Sequence, residues 1–274
     1  LPTAIADFQR ALRIDPALDD ARFAVGCAWL EAGEAQKALE AFNSLQETPD
    51  VSAKIVRANE MLARPRSDAG YVRHLFDQFS ADYDARMIGQ LGYQAPAILR
   101  ELASLVIQPL RKLRILDLGC GTGLSGAAFK DLASRLDGID LSPRMIGKAR
   151  ARGIYDALDV ADLETALSQG QARYDLVLAA DTIVYVGDME VVLAGAHRVL
   201  APDGFFLFTV EKKAGEGFEL GPRRRWRHSE SYLRAQALAH GFSVAGFLEC
   251  SPRTEAGVAV EGFAVALQKD QPSP

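Results

Sequence analysis

The stretch LDLGCGTGLSG, positions 116–126, constrains the fold more than any other part of this chain. The apolar segment Arg114–Leu118 predicts a buried strand, and a helix is predicted over Leu124–Arg135. A strand, a glycine-rich turn and a helix in this order is typical of the start of a parallel βαβ unit. We therefore expect an α/β domain built around this turn.

Strands and helices continue to alternate after this turn. The ranges predicted as strands are 136–140, 155–160, 174–181, 205–210, 242–250 and 258–268. Helices are predicted after the capping residues Ser142, Asp188 and Ser229. Only a short turn separates the last two strands, so they must pair antiparallel. The predicted fold class is a doubly wound, mainly parallel, seven-stranded sheet with a C-terminal antiparallel hairpin.

The region before the sheet has a different pattern, in which residues recur at a spacing of 34. Ala4 and Phe8 recur as Ala38 and Phe42. Small and aromatic residues of the second unit stand at Gly26, Trp29 and Gly33. This pattern resembles about one and a half tetratricopeptide repeats. The resemblance implies a scaffold that binds a protein partner, with further repeats before Leu1, because about three are needed for a stable stack. The alternative is a plain helical segment.

These patterns predict a division into two domains. A helical region covers residues 1–63, and the polar segment RPRSDAG, residues 64–70, is interpreted as a linker. The α/β domain is expected to span residues 71–270. Its first part, residues 71–88, is interpreted as a helix that covers the site as a lid.

Composition argues against several classes of partner. The net charge of −5 does not favour nucleic-acid binding. No apolar run reaches the roughly 18 residues that a membrane helix needs. Cys27, Cys120 and Cys250 are widely spaced and form no metal-binding pattern. We expect a protein of the reducing cytoplasm that has no metal centre.

The glycine turn can be interpreted in two frames, which imply different cofactors. From Gly121 to Gly126 it spells G-x-G-x-x-G, the dinucleotide fingerprint of NAD-dependent oxidoreductases. From Asp117 it spells D-x-G-x-G-x-G. The predicted strand ends at Leu118, so the tight turn begins at Gly119, which favours the second frame. The Asp117 carboxylate also suits a cationic cofactor better than a pyrophosphate.

The second frame resembles the first motif of class I S-adenosylmethionine-dependent methyltransferases, and later motifs agree in order. The phrases GIDLSPRM, DVADLE and HRVLAPDGFFLF match the sequels of that family. The resemblance implies S-adenosylmethionine as cofactor and Asp140 as the acceptor of both ribose hydroxyls. It also implies apolar contacts to adenine and an acidic partner for the adenine amino group. The residues that the resemblance assigns to cofactor binding are Asp117, Gly119, Cys120, Gly121, Asp140, Leu141, Met145, Asp162 and Leu163. Asp162 could instead be only a helix cap.

The acceptor side of the site is less defined by sequence. Phe76, Phe79 and Tyr83 lie on one face of the predicted lid, and Tyr83 is expected to reach the cofactor. Asp181, at the end of the fourth strand, is a further cofactor-binding candidate. The catalytic candidates are Tyr185 on the following loop and His228 before the last helix. The run RRRWR, residues 223–227, suits an anionic substrate or a solvated surface.

The resemblance implies methyl transfer to an acceptor, for which we favour a small molecule. Positioning and exclusion of water are then expected to supply most of the catalysis. A protein of another class, with partner-binding helices and a non-catalytic cofactor domain, is the alternative.

Overall fold

The computed structural model of the protein describes residues 1–63, 65–109, 112–171, 173–221 and 224–271, apart from the side chain of Pro2. Arg64 of the predicted linker and Arg223 of the basic run lie outside the described residues. The contacts divide the chain into two compact units, Leu1–His74 and a second unit that begins at Leu75.

The first unit is entirely helical. Its helices are α1 (Pro2–Ile14), α2 (Asp19–Glu31), α3 (Ala35–Phe42), α4 (Pro49–Ala63) and the start of α5 (Ala69–Phe79). Helices α2, α3 and α4 share a core that includes Leu30, Phe42 and Val51. Gly26 permits this packing, because a Cβ there would lie 2.6 Å from the Phe42 ring. The unit boundary falls inside α5, which begins within the range predicted as a linker.

The second unit begins with three helices that precede the sheet. Helix α5 ends at Phe79 and is followed by α6 (Tyr83–Gly89) and α7 (Ala95–Val106). The prediction of one helix over 71–88 is therefore wrong. The Ser80 hydroxyl donates to the Asp77 carbonyl at 3.0 Å, which ends α5 and starts a turn before α6. The sequence analysis did not predict α7.

Strands and helices then alternate as the sequence predicts. The elements, in order, are β1 (Leu113–Leu118), α8 (Leu124–Phe129), β2 (Ala133–Asp140), α9 (Pro143–Ala151), β3 (Ala157–Val160), α10 (Leu163–Gln169), β4 (Tyr174–Ala179), α11 (Glu190–Val199), β5 (Leu200–Lys212), β6 (Phe218–Leu220), β7 (Trp226–His228), α12 (Glu230–Ala239), β8 (Phe242–Cys250), β9 (Thr254–Glu255), β10 (Val258–Ala259) and β11 (Gly262–Lys269).

The central sheet confirms the predicted fold class. Its main path has the order β3-β2-β1-β4-β5-β11-β8. The first five of these strands are parallel, while β11 pairs antiparallel with both β5 and β8. Two short strands extend it, since β7 pairs with β5 and with β6. Sequence predicted neither β6 nor β7.

Several predicted boundaries differ from the observed ones. The helix predicted to Arg135 ends at Phe129, and a 3₁₀ turn at Lys130–Leu132 leads into β2. Strand pairing explains the difference, because Ala133 is already in register with Leu113 of β1. The strand predicted over 258–268 is also divided. Its first residues, Val258–Ala259, form β10, which pairs with the preceding β9 in a small hairpin, and only β11 joins the central sheet.

Helices cover both faces of the sheet and leave the C-terminal ends of the parallel strands for a site. On one face, α10, α11 and α12 contribute Leu167, Leu193 and Leu233 to the larger core. On the other face, α7 contributes Leu99 and Leu102. Open α/β sheets bind ligands where the strands end, beside the glycine turn.

Candidate functional site

The backbone of the glycine turn follows the D-x-G-x-G-x-G frame. Gly119, Gly121 and Gly123 have φ values of +66°, +54° and +95°, a region that favours glycine. Gly119 comes directly after β1, and a Cβ there would lie 2.5 Å from Thr182. A Cβ added at Gly121, in contrast, would have no other atom within 4 Å. The turn therefore starts at Gly119 and has an open side at Gly121.

Asp140 is fixed at the end of β2, with its carboxylate against the glycine turn. One oxygen accepts the Gly121 amide hydrogen at 2.9 Å, and the other accepts that of Ser142 at 2.8 Å. Burial raises the pKa of the Asp140 carboxyl to about 6. Each oxygen has used one of its two lone pairs, so each can accept one further hydrogen bond. This pair of acceptor oxygens fits the two hydroxyl donors of a vicinal diol.

Asp117 has surroundings that do not suit its predicted role. Its side chain is fully buried, and the Tyr155 hydroxyl donates to it at 2.7 Å. Burial raises the pKa of the Asp117 carboxyl to about 7. The Tyr155 ring also packs against Gly126 and Gly138. The structure thus places Asp117 in the interior behind the glycine turn, and we correct its role from cofactor contact to support of the turn.

The residues predicted near adenine lie around Asp140, but not all are accessible. The Asp140 carbonyl accepts the Ala161 amide hydrogen at 3.1 Å, which brings the segment 161–163 beside β2. Leu141 is half-buried, whereas Met145, on the inward side of α9, is fully buried. Leu141 is therefore the apolar residue left to face a ligand.

Asp162, Leu163 and Cys120 have identifiable structural roles. Asp162 caps α10, accepting the amide hydrogens of Glu164 and Thr165 at 3.1 and 3.2 Å. Leu163 is buried. Cys120 is buried too, and burial raises the pKa of its thiol, so a reactive thiolate is disfavoured.

Polar contacts hold α5 and α6 onto the glycine turn and α9. The Asp84 carboxylate accepts hydrogen bonds from the Thr122 hydroxyl and from Arg152. The Asp77 carboxylate accepts one from Ser142, the residue that follows Leu141. We call these five residues the lid latch. They place the lid segment over the loop that carries Gly121.

A cavity of ≈ 330 Å³ lies beside this lid. Four aromatic rings line it, from Phe76, Phe79, Tyr83 and Tyr185. The Phe76 ring is 6.1 Å from that of Tyr83 and 5.7 Å from that of Tyr185, both edge to face. Burial raises the pKa of both tyrosines, so both hydroxyls are protonated donors. The structure therefore brings the predicted residues Tyr83 and Tyr185 together at one cavity.

Buried ion pairs form one end of the cavity. Arg253, whose side chain is only 1% exposed, donates to Asp181, Glu211 and Glu255. Arg225 also donates to Glu255 and lies 3.6 Å from Glu211. We call these five residues the arginine cluster. Of its members, sequence analysis named only Asp181 as a site residue. Arg225 turns inward from the basic run, rather than lying on a solvated surface.

His228 lies away from the cavity. It is fully buried in β7, and its Nε2 contacts the Gly187 carbonyl at 2.9 Å. Burial lowers the pKa of the His228 imidazole to about 4. The ring packs against Phe218 and Tyr232. We therefore correct the prediction that His228 is catalytic, because its ring has no access to an acceptor.

The described residues contain no group of three or more histidine, cysteine or acidic side chains that could hold a metal ion. No helix in that part of the chain is both long and apolar enough to cross a membrane.

The sheet order and the antiparallel β11 define the class I S-adenosylmethionine-dependent methyltransferase fold. Within it, residues 116–206 match the family described as "Methyltransferase domain". A solved magnesium protoporphyrin IX methyltransferase from Synechocystis PCC 6803, with bound S-adenosylhomocysteine, is similar with a TM-score of 0.58. The two share 18% identity, and the match covers 74% of this chain and 100% of that one.

Two curated relatives are similar in sequence. A malonyl-[acyl-carrier protein] O-methyltransferase from Hamiltonella defensa is 32% identical over 42% of this chain and 46% of its own length. A ubiquinone biosynthesis O-methyltransferase from Azorhizobium caulinodans is 27% identical over 48% of this chain and 54% of its own length. The chain thus spans about half the length of these relatives.

Proposed function

We propose that this protein is an S-adenosylmethionine-dependent methyltransferase that acts on a small-molecule acceptor. The observation that carries this proposal is Asp140, whose two carboxylate oxygens are fixed against the open side of the glycine turn. That pair of acceptors suits the ribose hydroxyls of the cofactor. By their names, one relative methylates malonyl-[acyl-carrier protein] and another acts in ubiquinone biosynthesis. These names support methyl transfer as the reaction and leave the acceptor open.

The residues present would hold the cofactor as follows. Gly119 and Gly121 allow its close approach, Asp140 accepts the ribose hydroxyls, and Leu141 faces the adenine. When bound, the cofactor supplies an electrophilic methyl group on a cationic sulfur. An acceptor lone pair forms the new bond to the methyl carbon while the carbon–sulfur bond breaks, and its electron pair stays on sulfur.

The chain's own groups would position the acceptor and exclude water. The lid and the rings of Phe76 and Tyr83 close the cavity, so that the acceptor meets the methyl group away from solvent. Asp181 and Glu255 are the carboxylates that line the cavity in the described part of the chain, and burial raises the pKa of Asp181. If the acceptor loses a proton, we propose that Asp181 takes it. Arg253 then still has Glu211 and Glu255 as partners.

The helical unit and the cellular location complete the proposal. We infer that α1–α4 are tetratricopeptide-like and bind a protein partner, because small residues such as Gly26 allow the close helix packing that such repeats use. We place the activity in a reducing cytoplasm, since Cys27, Cys120 and Cys250 are all free thiols.

Calorimetry and thermal unfolding with three ligands test the proposed cofactor. S-adenosylhomocysteine and S-adenosylmethionine should bind and raise the melting temperature, whereas NAD should not. At a hundredfold excess over Kd the stabilisation should be about 2.7 kcal/mol. Asp140→Ala should weaken binding at least tenfold, because hydrogen bonds to a charged group contribute about 1.5–3 kcal/mol.

Asp159→Ala is the matched control, since Asp159 is an exposed carboxylate on the neighbouring strand β3. Its affinity for S-adenosylhomocysteine should equal that of the unmodified protein. Binding of NAD alone, or unchanged affinity in a folded Asp140→Ala variant, would contradict the proposal.

A further inference from the structure

The aromatic cavity has two ends of different electrostatic character. The inner end is the arginine cluster, in which two guanidinium groups face three carboxylates. At the opposite side Phe79 and Arg86 are exposed, and these two residues mark the mouth. The Arg86 guanidinium lies 4.6 Å from the centre of the Phe79 ring. No carboxylate lies within ion-pair distance of Arg86 in the described part of the chain.

The inner end is unsuited to an anion. All three donor positions of the Arg253 guanidinium already have carboxylate partners. Arg225 is shared between Glu255 and Glu211, and the cluster has one more carboxylate than it has guanidinium groups. The Arg227 guanidinium lies 3.6 Å from the Glu211 carboxylate and offsets this excess of negative charge. Arg227 does not line the cavity, so it adds no free cation there. An anionic group bound here would be repelled by this excess of carboxylates.

The mouth, in contrast, offers an uncommitted cation. Arg86 is held over an aromatic ring, so its position is restricted while its donors remain available. A guanidinium group is suited to bind a carboxylate through two parallel hydrogen bonds. Between the mouth and the inner end, the walls are aromatic or aliphatic, including Leu75, Met87 and Leu91.

We infer that the methyl acceptor is a flat aromatic or conjugated acid, whose ring lies among Phe76, Phe79, Tyr83 and Tyr185 and whose carboxylate binds Arg86 at the mouth. This inference rests on the proposed function. A cavity of ≈ 330 Å³ lies near the lower limit of ligand pockets, which range over roughly 300–1,000 Å³, and so suits a molecule of one or two rings.

The orientation of the acid has a chemical consequence. Asp181 of the inner end directly precedes Thr182, whose hydroxyl donates to the Leu118 carbonyl at 3.1 Å beside the glycine turn, so the inner end of the cavity adjoins the proposed cofactor site. The carboxylate at the mouth lies away from that end. It therefore serves to orient the acceptor, and the methyl group is transferred to an oxygen, nitrogen or carbon at the other end of the molecule rather than to the carboxylate.

Matched acid and amide pairs test this inference on the full chain saturated with S-adenosylhomocysteine. The ligands are trans-cinnamate with cinnamamide, 2-naphthoate with 2-naphthamide, and hexanoate as an acid without a ring. Calorimetry should show the aromatic acids binding more tightly than their amides, and hexanoate binding weakest. Arg86→Gln should weaken the aromatic acids about threefold to fivefold, as expected for an exposed ion pair, and leave the amides unchanged.

Three further variants separate the contributions. Arg86→Lys should retain most of the preference for the acids, because it keeps the charge. Phe79→Leu should weaken both acids and amides, because it removes ring contact, and the acids somewhat more, because it also frees Arg86. Arg150→Gln, at an exposed arginine on α9, should change nothing.

Each outcome has one interpretation. If S-adenosylhomocysteine itself does not bind, the proposed function fails. If it binds, but amides bind as well as acids or Arg86→Gln has no selective effect on the acids, the acceptor class inferred here is wrong while the proposed function stands. Formation of a methyl ester in assays with S-adenosylmethionine would overturn the orientation.

Discussion

Asp117 and Asp140 are acidic residues near the ends of neighbouring strands, yet their surroundings give them different roles. Asp140 reaches the glycine turn and keeps acceptor capacity for a ligand. Asp117 is enclosed with Tyr155. Burial raises the pKa of both carboxyls, to about 6 and about 7 respectively. A buried acid of this kind makes the folded state bind a proton more strongly than the unfolded chain does.

Asp117 should therefore make stability depend on pH. Its folded-state pKa lies above its ordinary value of 3.8, so the cost of ionising it is absent below pH 4, grows as pH rises, and is complete above pH 7. Asp117→Asn removes this cost and keeps an oxygen for the Tyr155 hydroxyl. At pH 4 the free energy of unfolding of the variant should be equal to that of the unmodified protein or lower. Between pH 4 and pH 7 the difference should change in favour of the variant by at most about 1.4 kcal/mol per pH unit.

Urea unfolding at pH 4, 5, 6, 7 and 8 measures this effect. Asp159→Asn, at an exposed carboxylate, should instead follow the unmodified protein at every pH. Parallel stability curves for Asp117→Asn and the unmodified protein would show that the carboxyl titrates normally.

Sequence predicted individual residues where their role depends on local chain geometry. Gly119 directly follows β1 and Asp140 is the last residue of β2, as the predicted strand ends required. Whether Asp117 faces the ligand or the interior depends on Tyr155, which lies 38 residues away and has no visible link to it in sequence. Arg253 was missed for the same reason, because its partner Asp181 is 72 residues away.

Among the elements, the lid depends on a few polar contacts between α5, α6 and the glycine turn. Asp84 accepts from both Thr122 and Arg152, so one carboxylate joins α6 to the turn and to the C-terminal end of α9. The lid latch is partly exposed, with 41% of the Asp84 side chain accessible. Such contacts are weak enough to break each time a ligand enters or leaves.

Asp84→Asn should consequently speed the release of S-adenosylhomocysteine. The substitution removes the ion pair with Arg152 and weakens the Thr122 contact, so we expect dissociation to become about threefold to tenfold faster. Stopped-flow displacement measures this rate. Asp82→Asn is the control, because Asp82 begins the same helix and makes no side-chain cap. Equal rates for Asp84→Asn and the unmodified protein would show that the latch does not gate the site.

Sequence predicted the elements of the sheet better than those of the lid. Continuous apolar runs indicate buried strands, and the run DLVLA of β4 is almost wholly buried. The break between α5 and α6 depends on the Ser80 hydroxyl and on Lys148 of α9, which donates to the Ala81 carbonyl at 2.7 Å. Helix α9 reaches the segment between α5 and α6 only in the folded chain. The spacing of aromatic residues in the sequence therefore predicted one helix that continued through the break.

At the scale of the whole molecule, each unit has its own core. The residues of the latch, the aromatic cavity and the arginine cluster all lie in the second unit, from Leu75 onward. The contacts that divide the chain place the boundary within α5, whereas composition alone suggested the polar segment 64–70. Helix α5 bears apolar residues along its whole length, and sequence offers no mark of the point where its contacts change from one core to the other.

A shortened chain that begins at Ser67 should therefore keep its affinity for S-adenosylhomocysteine within about twofold, since it retains all of α5 and the entire second unit. Calorimetry measures the affinity, and circular dichroism shows whether the shortened chain folds. If it folds and loses the ligand, residues before Ser67 contribute to the site.

The position of β11 has a consequence for how this protein is made. Among the described strands it comes last in sequence, yet it lies between β5 and β8 and pairs with both. While the ribosome is still producing the protein, β5 and β8 therefore have no partner for these edges, and unpaired strand edges promote aggregation. The sheet can be completed only after residues 262–269 leave the ribosome. A messenger RNA truncated just before their codons would therefore yield a chain that chaperones bind and proteases degrade.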